Sequence, residues 1–142
     1  MTKKIIVILI SLTLITGCGC SKKENKKNKE QVDVKVNTNE EITKDREVDG
    51  LKLTNTSLTC IEKHWTLVTK VTNNTGSDYE LNEFKIIIKD KDGNIITTLS
   101  GYVGGVIPNG STREINSGTY VDLTNAKKIE YEVIKWEKVL HW

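Results

Sequence analysis

The side chains able to support covalent catalysis are few and widely spaced. The chain has 142 residues with three cysteines and two histidines, and beyond residue 20 only Cys60 and His64 form a cysteine–histidine pair close in sequence. Nucleophilic catalysis needs a nucleophile, a base and an orienting group that converge on one point. Neither residue lies in a recognisable hydrolase or protease signature, and Cys60 fits a small buried hydrophobe. We therefore predict no catalytic residue and no enzyme activity.

Residues 90–94 (Asp-Lys-Asp-Gly-Asn) space oxygen-bearing side chains as a calcium loop does. An EF-hand also needs glycine at position 6 and glutamate at position 12 of its loop. Here a glycine falls at position 4, and Gly101 stands at position 12. Asp92-Gly93 between two apolar runs is instead a hairpin signal. The sequence predicts a turn here, with no metal site and no cofactor.

The first residues have the layout of an export signal. A cationic start with Lys3 and Lys4 precedes an apolar run at residues 5–15. As a helix this run would span about 16 Å, roughly half of a ~30 Å hydrocarbon core. That length is typical of a signal-peptide core and is too short for a comfortable membrane span.

The residues that follow this apolar run resemble the lipobox of bacterial lipoproteins. Residues 14–18 read Leu-Ile-Thr-Gly-Cys, with Ile15 where that family most often has leucine. The resemblance implies that residues 1–17 are a signal peptide and that the Cys18 thiol receives a diacylglycerol. The mature chain would then be anchored to membrane lipid on the extracytoplasmic face of the cell membrane. A plain secretory signal with an incidental cysteine is the alternative.

Residues 18–47 are expected to form a lipidated cysteine followed by a disordered linker. Lys, Asn, Glu, Asp and Thr dominate, and Val32, Val34, Val36 and Ile42 are the only aliphatic side chains. Such a composition buries too little apolar area to offset the entropy of ordering. Five lysines in residues 21–31 could contact anionic lipid head groups, or the segment could be a plain solvated linker. A disulfide between Cys20 and Cys60 is also left open.

Residues 48–142 carry all eight aromatic residues, 11 basic and 12 acidic side chains, and one alanine and one proline. The near balance of charge gives no reason to expect nucleic-acid binding. Alternating apolar and polar residues predict β-strands. The predicted strands lie at 50–54, 57–62, 64–72, 82–90, 94–99, 111–117 and 128–136. About seven antiparallel strands suggest an all-β sandwich, with a small barrel as the alternative.

The stretch from Leu67 to Tyr120 resembles the FxLYD-type immunoglobulin-like domains of bacterial lipoproteins. The resemblance rests on a strand ending in Asn73-Asn74, on Tyr79, on the turn at 90–94 and on the Pro-Asn-Gly-Ser-Thr turn at 108–112. The motif that names the family falls on residues 86–90, where only the aspartate matches. The resemblance implies an immunoglobulin-like sandwich and brings no catalytic residue.

Sandwiches of this type act mostly through loops and strand edges. The expected contact segments are 73–78, 101–110 and the C-terminus, with Asn73, Asn74, Tyr102, Asn109 and Trp142 as candidate contact residues. We therefore expect a lipid-anchored, non-catalytic binding or accessory module of the bacterial cell envelope, whose partner is an envelope protein or a glycan. A substrate-binding lipoprotein of a transporter is the alternative, and an envelope enzyme ranks below it.

Overall fold

A computed structural model describes residues 31–136, which are almost entirely β-structure. The predicted signal peptide, Cys18 and Trp142 lie outside these residues. The elements in chain order are ten strands and one short helix: β1 (Val34–Asn37), α1 (Glu40–Thr43), β2 (Arg46–Val48), β3 (Leu51–Ile61), β4 (His64–Asn73), β5 (Tyr79–Glu80), β6 (Glu83–Lys89), β7 (Ile95–Gly101), β8 (Val106–Ile107), β9 (Thr112–Thr119) and β10 (Lys128–Ile134).

All strand pairs are antiparallel, and they form two main sheets. In the first sheet the order is β1-β3-β4-β9, with β2 on the same edge of β3 as β1. The second sheet has the order β10-β6-β7, and β5 and β8 form a small ribbon. The chain crosses between the two main sheets from β4 to β6, from β7 to β9 and from β9 to β10. In the lettering used for immunoglobulin-like sandwiches, β3, β4 and β9 take the places of strands A, B and E. In the second sheet, β10, β6 and β7 take the places of strands F, C and C′.

The core lies between the inner faces of the two main sheets. Trp65, Leu67 and Val71 of β4 face inward, as the period-two pattern predicted, and so do Phe84 and Ile86 of β6. The two sheets bury these faces against one another without a shared hydrogen-bond ladder among the described strands. The all-β sandwich expected from the sequence is therefore confirmed.

The two predicted strands at 50–54 and 57–62 are a single strand, β3, interrupted by a bulge. The register with β4 shifts between Thr54 and Ser57, and Asn55 has a positive φ of 52°. The extra residue changes the phase of the alternation. As a result Leu53 before the bulge and Leu58 after it both point into the core. The other five predicted strands correspond to β4, β6, β7, β9 and β10.

The folded body begins earlier than predicted, so the expectation of a disordered linker is wrong for residues 34–47. Strand β1 pairs with residues 58–61 of β3, and β2 pairs with residues 51–53. Between them Asn39 caps α1 by accepting a 2.9 Å hydrogen bond from the amide of Glu41. The helix inserts Ile42, whose side chain is fully buried in the core. One well-placed isoleucine and two edge strands order a segment that is otherwise polar.

The turn expected at residues 90–94 is present between β6 and β7. One carboxylate oxygen of Asp90 accepts hydrogen bonds from the amides of Asp92 and Asn94 at 2.9 and 3.0 Å. These bonds, led by those from Asn94, hold the pKa of Asp90 below its usual value. The carboxylate therefore closes the hairpin.

Replacing Ile42 with alanine is expected to lower the free energy of unfolding by about 2–5 kcal/mol, because the change removes a fully buried side chain and leaves a cavity. The measurement is the urea midpoint of the purified protein. The matched control is Ile95→Ala on β7, where the side chain is mostly exposed and the loss should stay below about 1 kcal/mol. Equal losses in the two variants would mean that α1 does not contribute to the core.

Candidate functional site

The predicted contact segments 73–78 and 101–110 meet at one end of the sandwich, which we call the loop end; the C-terminal segment is described only as far as residue 136. The loop end consists of the β2–β3 turn, the β4–β5 loop, the β7–β8 and β8–β9 connections and the end of β10 (residues 49–50, 74–78, 102–105, 108–111 and 135–136). The opposite end, here the N-terminal end, carries the start of β1, the β3–β4 turn and the β9–β10 loop (residues 34, 62–63 and 120–127). β3 runs from the loop end to the N-terminal end, a distance of about 33 Å.

Asn73 holds the loop end together from the inside. Its side-chain amide donates 2.8 Å hydrogen bonds to the carbonyl oxygens of Ser77 and Ile107. Its side-chain oxygen accepts bonds from the amide and hydroxyl of Thr75 at 3.0 and 2.7 Å. The residue is completely buried, so it is not available as a contact residue and that expectation is wrong. Side chains two residues apart in a strand point to the same face, and Asn73 follows the inward-facing Val71 by two residues. This alternation could have predicted from the sequence that Asn73 points inward.

Asn109 ties the two neighbouring loops together from the outside. Its side-chain oxygen accepts a 3.0 Å hydrogen bond from the backbone amide of Gly76. The backbone amide of Asn109 donates a 2.9 Å hydrogen bond to the carboxylate of Asp78. Asn74 and Asn109 are both exposed on the resulting surface. The loops at this end are therefore held in one conformation by hydrogen bonds between them, and a partner would meet a preformed surface.

A second set of contacts fixes the β2–β3 turn. Asp49 and Gly50 both have positive φ angles, which suits the two-residue Asp-Gly turn of a tight hairpin. The Tyr79 hydroxyl donates a hydrogen bond to Asp49, and the Lys135 ammonium lies 3.4 Å from the same carboxylate oxygen. These two partners, Tyr79 first, lower the pKa of Asp49. Burial, and then the bond to Asp49, raises the pKa of Tyr79 above its usual value.

The apolar side chains exposed at the loop end are Tyr102, Val106 and Trp136. Gly104 and Gly105 both have positive φ angles, so the β7–β8 connection needs glycine there. The indole nitrogen of Trp136 lies 3.8 Å from the place where a side chain on Gly105 would begin, so the ring borders the glycine pair. The sequence named Tyr102 as a contact residue, and the structure leaves it exposed. Val106 was not named, although its segment was.

The two tryptophans among residues 31–136 lie at opposite ends of the body. Trp65 is buried and lies opposite Thr119 near the N-terminal end, whereas Trp136 follows β10 at the loop end.

Cys60 and His64 lie on opposite faces of the first sheet. Cys60 is buried in the core opposite Trp65 on β4. The His64 ring lies on the outer face, where it covers Gly118 and stands 4.8 Å from the ring of Tyr120. The two side chains therefore do not converge. Cys20, the other half of the disulfide considered above, lies outside the described residues.

A cleft of about 340 Å³ lies between β1 and the β9–β10 loop. It was not predicted from the sequence. Its lining is mostly polar and comprises Lys35, Val36, Asn37, Thr38, Asn39, Trp65, Thr124 and Lys127. The Asn37 amide already donates to the carbonyl of Ala126 at 3.0 Å, and the Asn39 oxygen caps α1. Because these groups, and the Lys35 ammonium 3.8 Å from the Asp33 carboxylate, already have partners within the fold, we assign no ligand to this cleft.

Residues 31–136 contain no group of three or more His, Cys, Asp or Glu side chains arranged to hold a metal ion. They also contain no helix of sufficient length and apolarity to cross a membrane.

Substituting Asn73 with alanine is expected to lower the free energy of unfolding by about 2–4 kcal/mol, because buried carbonyl and amide groups lose their partners. The check is chemical denaturation, with amide exchange at Thr75 as a local readout. Asn74→Ala is the matched control, and this exposed neighbour should change stability by less than about 0.5 kcal/mol. A similar small effect at both positions would contradict the role given to Asn73.

The Asp49 contacts predict a pH-dependent stability. Because the pKa of Asp49 is lower in the folded than in the unfolded chain, its contribution is present above the unfolded value of 3.8 and is lost as pH falls through the folded value. Asp49→Asn should therefore be less stable than the native chain at neutral pH, and the difference should close as the pH falls through the folded pKa of Asp49. Urea midpoints measured across this range test it, with Asp45→Asn as control. A difference that does not change with pH would contradict the assignment.

Comparison of the chain with models of known protein families, with curated proteins and with solved structures found no match.

Proposed function

We propose that the chain is a lipid-anchored, non-catalytic binding or accessory module on the extracytoplasmic face of a bacterial cell membrane. The observation that carries this proposal is the sequence of residues 14–18, which ends in Cys18 directly after a cationic start and a short apolar run. Two or more acyl chains on one cysteine give stable anchoring, since each buried methylene contributes about 0.8 kcal/mol.

The length of chain between Cys18 and β1 limits how far the body can stand from the lipid. Strand β1 begins at Val34, so only the fifteen residues 19–33 intervene. Fifteen residues reach at most about 50 Å when fully extended. The linker predicted up to residue 47 would have reached about twice as far. The body is therefore proposed to work close to the membrane.

The arrangement of the two ends supports a partner that approaches from outside. The chain enters the body at the N-terminal end, while the loop end lies about 33 Å away along β3. An anchor attached through residue 34 would leave the loop end free to point away from the lipid. The exposed side chains of Tyr102, Val106 and Trp136 would then be presented to the partner.

The chemistry of the loop end fits a protein or glycan partner. Aromatic side chains supply large contact areas at low entropic cost, and they are enriched at interfaces. Asn74 and Asn109 add exposed amides beside them, and the loops are already fixed by Asn73. The turns on which the FxLYD resemblance rests, at residues 90–94 and 108–111, are turns in this body as well. They support a module of that immunoglobulin-like type.

The Cys18→Ala variant is expected to lose membrane retention, because it has no acylated thiol. The native chain should incorporate a palmitate analogue and fractionate with membranes, and globomycin should cause its unprocessed precursor to accumulate. Cys20→Ala is the matched control and should behave as the native chain does. Unchanged labelling and retention in Cys18→Ala would sink the proposed anchor.

A further inference from the structure

Strand β1 has one edge that no other described strand covers. It pairs with β3 on one side only and ends the order of the first sheet. Residues 32–36 read Val-Asp-Val-Lys-Val, and the three valines are 50%, 55% and 58% exposed. An edge strand with exposed apolar side chains can pair with another strand, and proteins commonly protect such edges.

Side-chain hydrogen bonds engage carbonyl groups of β7 and β10, the two edge strands of the second sheet. At β9 the Ser117 hydroxyl donates a hydrogen bond to the carbonyl of Ser100 on β7, which joins the two sheets on that side. At β10 the Arg46 guanidinium donates a 2.7 Å hydrogen bond to the carbonyl of Ile129. The edge of β1 has no comparable cover among residues 31–136.

The register of β1 shows which way its side chains point. Lys35 lies opposite the buried Cys60, so Lys35 and its neighbour Asp33 lie toward the inner face, with 3.8 Å between ammonium and carboxylate. Val34 lies opposite Ile61, which in turn lies opposite His64. Val34 and Val36 therefore stand on the outer face, and Val34 extends an exposed row that crosses Ile61 and His64 to Tyr120.

We propose that β1 pairs antiparallel with β1 of a second copy of this chain, about a two-fold axis at Val34. In this register Val34 lies opposite Val34 of the second copy, and Val32 lies opposite Val36. Asp33 lies opposite Lys35 in both symmetry-related positions. Because the segment is apolar at alternate positions and reverses its charge about Val34, it is complementary to itself.

This pairing joins the first sheet of one copy to the first sheet of the other, so that the two form one continuous sheet. The exposed rows of the two copies meet at Val34, so the Val34 side chain of each copy gains the Val34 side chain of the other as an apolar neighbour. Opposite charges face each other on the inner side instead of like charges. The contact is small compared with the ~1,000 Å² of a stable interface. For this reason its formation at low protein levels rests on the proposed lipid anchor, which would raise the local concentration of copies.

The first test is disulfide cross-linking in membranes from cells that express the full chain with Cys20→Ser. Val34→Cys should form a covalent dimer on mild oxidation, because directly opposed residues have Cα atoms about 4.5–5.5 Å apart, within disulfide range. Val106→Cys is the matched control, since it places an exposed cysteine at the loop end of the same tethered chain. We expect at least a tenfold higher yield for Val34→Cys. Equal yields would overturn the proposal.

The register is tested with Asp33→Cys and Lys35→Cys. Each alone should cross-link poorly, because the two identical positions lie about 8 Å apart in this register. Co-expression of the two variants with different tags should give the mixed dimer. Efficient self-linking of each variant, without preference for the mixed pair, would overturn the two-fold register at Val34.

Charge exchange provides a test that does not depend on the position of a cysteine. In the Val34→Cys background, Asp33→Lys or Lys35→Asp places like charges opposite each other twice, and should lower the dimer yield about 3- to 10-fold. The double exchange restores opposite charges and should restore the yield. Failure of the double exchange to recover it would contradict the pairing.

The pairing and the anchor can fail separately. The purified chain with Cys18→Ser and Cys20→Ser should show a weak, concentration-dependent dimer in sedimentation equilibrium, which Asp33→Lys abolishes. Dimerisation of this soluble chain supports the pairing even if membrane fractionation disproves acylation. A strictly monomeric chain that instead sediments with phospholipid vesicles would overturn the pairing and assign the exposed valines to a lipid surface.

Discussion

The rest of the fold depends on one constraint, which is that β3 must face the core along its whole length. Leu51 and Leu53 lie on one phase of the alternation and Leu58 and Cys60 on the other, so a regular strand would expose one of these pairs. The bulge at Asn55 resolves the conflict, since asparagine tolerates a positive φ better than most residues. The strand can then pair with β4 on one edge and with β1 and β2 on the other.

This arrangement of β3 also determines where the functional surfaces lie. Because β1 and β2 share one edge of β3, the chain enters at the N-terminal end and α1 lies beside the sandwich between them. The β2–β3 turn then falls at the loop end, where Asp49 meets Tyr79 and Lys135. The loop end is therefore braced from three directions: by this turn, by Asn73 inside and by Asn109 outside.

The long strands could be predicted from the sequence because burial on one face leaves a period-two pattern. Residues 34–48 could not, because two edge strands exposed to solvent need few apolar side chains; Ile42 is fully buried there, and the half-buried Val48 packs against the core. The two-residue strands β5 and β8 are too short for any period to be recognised. Asn73 was assigned to the surface because asparagine is common in turns. In the structure it is buried, because its side-chain amide finds hydrogen-bond partners inside the fold. The grouping of the contact segments followed from strand order, which alternation alone does not supply.

The three surfaces described above lie on different parts of the body, and this separation has a physical consequence. The proposed anchor at the N-terminal end and the contacts proposed at the loop end lie along the strand direction, whereas the open edge of β1 faces across it. Pairing through β1 would therefore not cover Tyr102 or Trp136. Because the two paired β1 strands run antiparallel, the two loop ends would point in opposite directions along the strands. A two-fold axis normal to the membrane would lay the strands parallel to the lipid surface and hold both loop ends at the same height above it. A partner with repeated units, such as a polymeric glycan or an oligomeric protein, could then engage both copies at once, and weak single contacts would combine.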